Sequence, residues 1–132
     1  MDQMPQTTLI FTAFFVLMSV PISILVGLRR AETGIMMLHG DDEDLLRRIR
    51  AHGNFIEYVP LALLAMAGAE IAGAPSWLVL ACGVALLAAR LIHYVALRRN
   101  PTGSGRLIGA ALTSLTMLVL AASILLTLGG VI

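Results

Sequence analysis

The sequence predicts an all-α fold, an integral-membrane four-helix bundle, on three observations. Hydrophobic residues fill 58% of the 132 positions and charged residues 13%, and the mean hydropathy is +0.90. Soluble domains carry about 25% charge and about 45–50% apolar residues. Four stretches, 3–28, 58–69, 71–89 and 107–132, have no charge at all. All nine basic residues are arginine, and they gather around two of the connections between those stretches. A helix crosses a bilayer with about 20 apolar residues, so four crossings use about 80 and leave only short loops. Residues 1–132 therefore read as a single domain. The same numbers exclude a soluble fold and a disordered chain. A net charge of +1 excludes a nucleic-acid partner, which needs a basic footprint.

The first span covers about 8–28. Its leading segment MDQMPQTT has no basic region, and Arg29-Arg30 follow the apolar run. That is the pattern of a retained span, not of a cleaved signal peptide. The second span covers about 42–72. It opens on Asp41-Asp42-Glu43-Asp44, acids that complement the positive end of a helix. Arg47, Arg48 and Arg50 follow one turn later, placed for local ion pairs. Gly73-Ala74-Pro75-Ser76 reads as a tight turn in which Gly73 ends one helix and Ser76 caps the next. The third span covers about 76–97 and opens on Trp77, a residue suited to the membrane interface. The segment 100–105 is rich in Gly and Pro and breaks the chain. It lacks the lysine and spacing of a phosphate loop. The fourth span covers about 104–128.

Orientation follows from the arginines. Each lies in, or within about two turns of, the 1–2 or the 3–4 connection, so both connections face the cytoplasm. Both termini and the 2–3 turn then face the other side. The lone Cys82 can form neither an internal disulfide nor a CxxC redox pair, and reads as a small packing residue. Three histidines without clustered carboxylates or thiols make no metal site.

The second helix carries the informative residues. It is about 45 Å long at 1.5 Å per residue, which exceeds the hydrocarbon core. Positions 50, 54, 57 and 61 share one face, so Arg50, Asn54 and Glu57 form a polar stripe. Such groups are costly in lipid and belong in the bundle interior or at a subunit interface. Pro60 offers a kink beside the stripe. In the third helix Arg90, His93 and Tyr94 lie near the cytoplasmic end, and Arg90 is an expected partner for Glu57. His52 reads as a headgroup-level residue and Glu70 as an interfacial charge. Five arginines from four helices, Arg29, Arg30, Arg50, Arg90 and Arg106, are expected at one level.

Several guanidinium groups at one level suit a ligand with more than one carboxylate. One carboxylate among them can receive an ammonium. A small peptide with two carboxylates and an amine, such as glutathione, fits this inventory. A guanidinium near its thiol favours the thiolate, the reactive form. A lipophilic second substrate can arrive through the bilayer.

The segment Arg50-x-x-x-Asn54-x-x-Glu57-Tyr58-x-Pro60 resembles the signature of the MAPEG family, the membrane-associated proteins of eicosanoid and glutathione metabolism. Arg29-Arg30, Ala89-Arg90-Leu91 and Gly105-Arg106-Leu107 agree with it, and the likeness, closest to the short bacterial branch, covers nearly the whole chain. The resemblance implies a homotrimer of four-helix bundles, glutathione bound between subunits near the cytoplasmic face, and a bacterial inner-membrane location. It implies glutathione transferase activity in detoxification, with peroxidase activity in some members. It implies glutathione contacts from Arg50, Asn54, Glu57 and Tyr58 on the second helix, and places Arg30 and Arg90 at positions that bind glutathione or hold the site together; His93 and Tyr94 are further candidate glutathione contacts from the third helix. Arg106 matches the arginine assigned to the thiolate in the leukotriene-synthase type. That type carries tyrosines near the positions of His93 and Leu97. Here Tyr94 is displaced by one residue, which argues against leukotriene synthesis.

Two other classes compete. The family includes a member that binds lipid without catalysis, so a non-enzymatic membrane lipid or ligand binder is the alternative. A small multidrug transporter also uses four short helices, but it keeps its essential carboxylate in the first. The first span here has no ionisable residue.

Overall fold

A computed structural model describes residues 4–131. The outermost positions of the first and last uncharged stretches, Gln3 and Ile132, lie outside the described residues. Four helices follow one another: α1 (Gln6–Thr33), α2 (Glu43–Ala72), α3 (Ser76–Arg99) and α4 (Ser104–Leu128). No strand occurs among the described residues. All four helices are long and apolar enough to cross a membrane. The chain is an all-helical membrane protein.

Local chemistry sets the ends. α1 continues five residues beyond the expected 28, because nothing in Arg29-Arg30-Ala31-Glu32-Thr33 breaks a helix. It stops at Gly34, whose left-handed backbone lets its N–H donate to the Arg30 carbonyl. Asp42 caps α2 by accepting from the Leu45 N–H. Gly73 ends α2 in the left-handed conformation, as expected. Ser76 does not cap α3. It is the first helical residue, and Pro75 occupies the cap position without a side-chain bond. α2 runs on through Pro60 and α1 through Pro21. Long membrane helices tolerate such prolines where neighbouring groups satisfy the freed carbonyls.

α1 packs on α2 and α3, while α4 packs on α2 and α3 from the other side. Phe15, Leu45, Met66, Val79, Leu86, Leu120 and Thr113 are fully buried between them. Phe15 and Phe55 meet with ring centroids 6.1 Å apart and planes at 59°, a favourable tilted arrangement. Cys82 is buried in this core. Leu17, Leu64, Leu118 and Leu125 face outward, as lipid-facing side chains do.

Glu70 does more than sit at an interface. Its carboxylate accepts from the Thr7 and Thr8 backbone N–H groups and from the Thr8 hydroxyl, all at 2.8 Å. α1 begins after Pro5, which supplies no capping side chain. A carboxylate from α2 therefore satisfies the first N–H groups of α1.

Candidate functional site

A cavity of about 450 Å³ opens between α2, α3 and α4, within the range of small-molecule sites. α2 lines it with Arg50, Asn54 and Glu57, spaced so that all three fall on one face. α3 contributes His93 and Leu97. α4 contributes Arg106, Leu107 and Ala110 from its first two turns. Arg50, Glu57 and Arg106 are exposed, whereas His93 is 5% exposed. The mouth is thus charged and the floor closed. This end of the bundle also holds the 1–2 and 3–4 connections.

Arg90 sits beneath the cavity and is only 2% exposed. It does not pair with Glu57. One Nη donates to Asn54 Oδ1 at 2.8 Å. The other donates to the Gly109 carbonyl at 3.2 Å and to the Thr113 hydroxyl. Thr113 in turn donates back to the Gly109 carbonyl at 2.8 Å. The Tyr58 ring lies 5.6 Å from the Arg90 guanidinium carbon, a cation–π contact. Glu57 loses Arg90 because the closer Asn54 and α4 take both of its Nη groups.

The arginines fall into two sets. Arg29 pairs with Asp42 at 2.6 Å and with Glu32 at 3.0 Å. Arg48 and Arg98 pair with Asp44 at 2.7 and 2.8 Å. Arg47 approaches Glu43 at 3.9 Å. Arg30 donates to the Ile35 and Leu38 carbonyls, both at 3.0 Å, and so folds the 1–2 connection onto the end of α1. The acidic opening of α2 thus serves ion pairs within α2 and across to α1 and α3. The Arg29 guanidinium, and after it the Leu45 N–H, holds the Asp42 carboxyl below the usual carboxylate range. Arg50, Arg90 and Arg106, by contrast, make no ion pair among the described residues, and neither does Glu57.

The structure therefore separates the five arginines expected together. Arg50 and Arg106 share the cavity, with Arg90 directly beneath Asn54. Arg29 and Arg30 hold the 1–2 connection instead. Of the other expected site residues, Tyr58 stands under Arg90 and is 37% exposed. Tyr94 is half-buried and packs against the core, and His52 is half-buried on α2. Neither tyrosine lines the cavity. Gly109 and Thr113 were not apparent from the sequence. The available signal is their spacing, because 106, 109, 110 and 113 fall on one face of a helix. Among the described residues no cluster of His, Cys, Asp or Glu is arranged to hold a metal.

The MAPEG family description matches residues 8–126. Over 55 residues the chain is 47% identical to the inner membrane protein YecN of Escherichia coli strain K12. The same protein from E. coli O6:H1 matches equally. That stretch is 42% of this chain and 42% of the relative's length.

Proposed function

Because this chain belongs to the MAPEG family, we propose that it is a membrane glutathione transferase that binds glutathione in the α2–α3–α4 cavity. One observation carries the reading: two guanidinium groups and one carboxylate, Arg50, Arg106 and Glu57, share a cavity and make no ion pair among the described residues. Charges left so at a membrane level suit a ligand that brings its own. Glu57 receives the glutathione ammonium. Arg50 receives a carboxylate, and a guanidinium matches that group bidentately. Asn54 adds hydrogen bonds. Arg106 stands where it stabilises the thiolate.

The reaction needs no protein base. The thiol of glutathione has a pKa near 8.5, and a neighbouring guanidinium lowers it. Its proton passes to water. The sulfur pair then forms a C–S bond with an electrophilic carbon, and the leaving group departs with its bonding pair. With a chlorodinitrobenzene the leaving group is chloride. The lipophilic substrate reaches the cavity from the bilayer. In this reading the 1–2 and 3–4 connections are cytoplasmic, the termini face away, and the protein is a homotrimer in the inner membrane. The printed name of the relative, an inner membrane protein, supports that location. The exposure of Arg50 and Arg106 supports a neighbouring subunit completing the cavity.

The test is conjugation by detergent-purified protein, with ultraviolet thiolate absorbance followed on adding glutathione. Conjugation with loss in Arg106→Ala is expected. Binding without thiolate identifies a non-enzymatic ligand binder of the same fold. Absence of glutathione binding removes the reading altogether.

A further inference from the structure

We propose that Arg90 is a positioning residue that fixes the orientation of Asn54, so that the cavity wall presents hydrogen-bond donors to an anionic group of the ligand. The proposal deepens the transferase reading and rests on it for the identity of the ligand.

A guanidinium has donors and no acceptor. The atom of Asn54 that faces Arg90 must therefore be its amide oxygen, at 2.8 Å. The amide NH2 then points away from Arg90, and Asn54 lies on the cavity wall. Freed of Arg90, the amide could turn either way, with nearly equal shape. Arg90 removes that freedom.

Arg90 itself is fixed from the far side. The Gly109 carbonyl and the Thr113 hydroxyl, both on α4, accept from one Nη group. The carbonyl comes within reach because position 109 has no side chain. A Cβ there would lie 2.7 Å from the His93 Cβ and 2.8 Å from the Ala89 carbonyl oxygen. The register of α3 on α4 is thus transmitted through Arg90 to an amide on α2.

The charge of Arg90 matters as well. Its acceptors are an amide, a carbonyl and a hydroxyl, and its Nε has no partner among the described residues. A buried arginine with a purely structural role is ordinarily paired with a carboxylate. Glu57 lies one turn from Asn54 on the same helix, yet it faces the cavity and leaves Arg90 alone. The uncompensated cation adds to the pull of the cavity on an anion.

The chain has two asparagines, Asn54 and Asn100. Selective 15N-asparagine labelling therefore gives two side-chain NH2 pairs, and Asn100→Asp assigns them. Arg90→Met and Thr113→Val should both displace the Asn54 pair, and Arg90→Lys should restore it in part. Unmoved Asn54 signals in Arg90→Met overturn the positioning role. Glutathione added to the native protein should shift the same pair. No shift while glutathione still binds overturns the ligand half of the proposal alone, whereas no binding at all removes the transferase reading; either leaves the Arg90 result standing on its own spectra. In a double-mutant cycle, Asn54→Ala should weaken glutathione binding about tenfold and Arg90→Met at least as much, with no further loss when Asn54→Ala is added to Arg90→Met. A full loss of about tenfold on that addition shows Asn54 acting on the ligand without Arg90 and overturns the proposal.

Discussion

Replacing Gly109 with alanine tests how much of the site depends on a single close approach. A Cβ at 109 would meet the His93 Cβ at 2.7 Å, the Ala89 carbonyl oxygen at 2.8 Å and the His93 Cα at 2.9 Å. Two of these atoms are backbone and cannot rotate aside. Ordinary carbon contacts lie at about 3.5–4.0 Å, so α4 must retreat from α3 by nearly 1 Å. Overpacking of this kind costs about 1–3 kcal/mol. The retreat also stretches the buried bond from Arg90 to the Gly109 carbonyl, and a hydrogen bond to a charged group contributes about 1.5–3 kcal/mol. Alanine returns about 1 kcal/mol in helix propensity. The expected net loss is about 1.5–5 kcal/mol, read as a lower midpoint of thermal unfolding in detergent. Glutathione binding should weaken at the same time, because His93 and Arg90 both shift. Gly27→Ala is the control, since a Cβ there meets nothing within 4 Å; it should leave stability unchanged or raise it. A Gly109→Ala protein as stable as the native chain, with unchanged ligand affinity, would refute the reasoning.

Glu70→Ala removes the carboxylate that caps α1 and should cost about 1–3 kcal/mol in thermal unfolding, while ligand affinity at the other end of α2 stays unchanged. Glu70→Gln, which keeps an acceptor and loses the charge, should fall between. Asp42→Asn should destabilise the protein at neutral pH. Because the Asp42 carboxyl titrates below its ordinary range, its ionised form stabilises the fold above about pH 4, and that advantage is lost as the pH falls through the lowered value. The difference in unfolding midpoint between Asp42→Asn and native protein should therefore shrink toward zero in acid. Arg106→Ala should abolish the thiolate absorbance of bound glutathione. Arg99→Ala, which removes an exposed arginine outside the cavity, should leave it intact.

The four helices were legible because each carries an apolar run longer than a bilayer needs. The end of α2 at Gly73 was legible because it depends on a neighbouring backbone group, and the acidic start of α2 was legible as charge, though not Asp42 as its cap. Glu70 was not, since its partners Thr7 and Thr8 are more than sixty positions away, and α1 gives no hint that it lacks a cap of its own. The stripe of Arg50, Asn54 and Glu57 was visible as a helical face. Its partner was not. Pairing Arg90 with Glu57 assumed that opposite charges find each other. The structure gives Arg90 to Asn54, Gly109 and Thr113 instead. A carbonyl freed by a glycine and a hydroxyl in an uncharged span carry no charge signature, so a search for charged residues passes over them.

The distribution of acids explains why a chain of net charge +1 can hold a strongly cationic site. Glu32, Asp42, Glu43 and Asp44 all pair with Arg29, Arg47, Arg48 or Arg98 around the 1–2 connection. These pairs are partly exposed and contribute little stability individually. Their consequence lies in what they leave over. Around the cavity stand Arg50, Arg90 and Arg106 against the single carboxylate of Glu57. That imbalance is two positive charges, and the one on Arg90 is buried, where it is screened far less than in water. Glutathione in its thiolate form has two carboxylates, one ammonium and an anionic sulfur, a net charge of two negatives. As the thiol it is one charge short. In the proposed transferase reading, the charge inventory of the cavity favours the reactive form over the resting one, which is the direction a transferase requires.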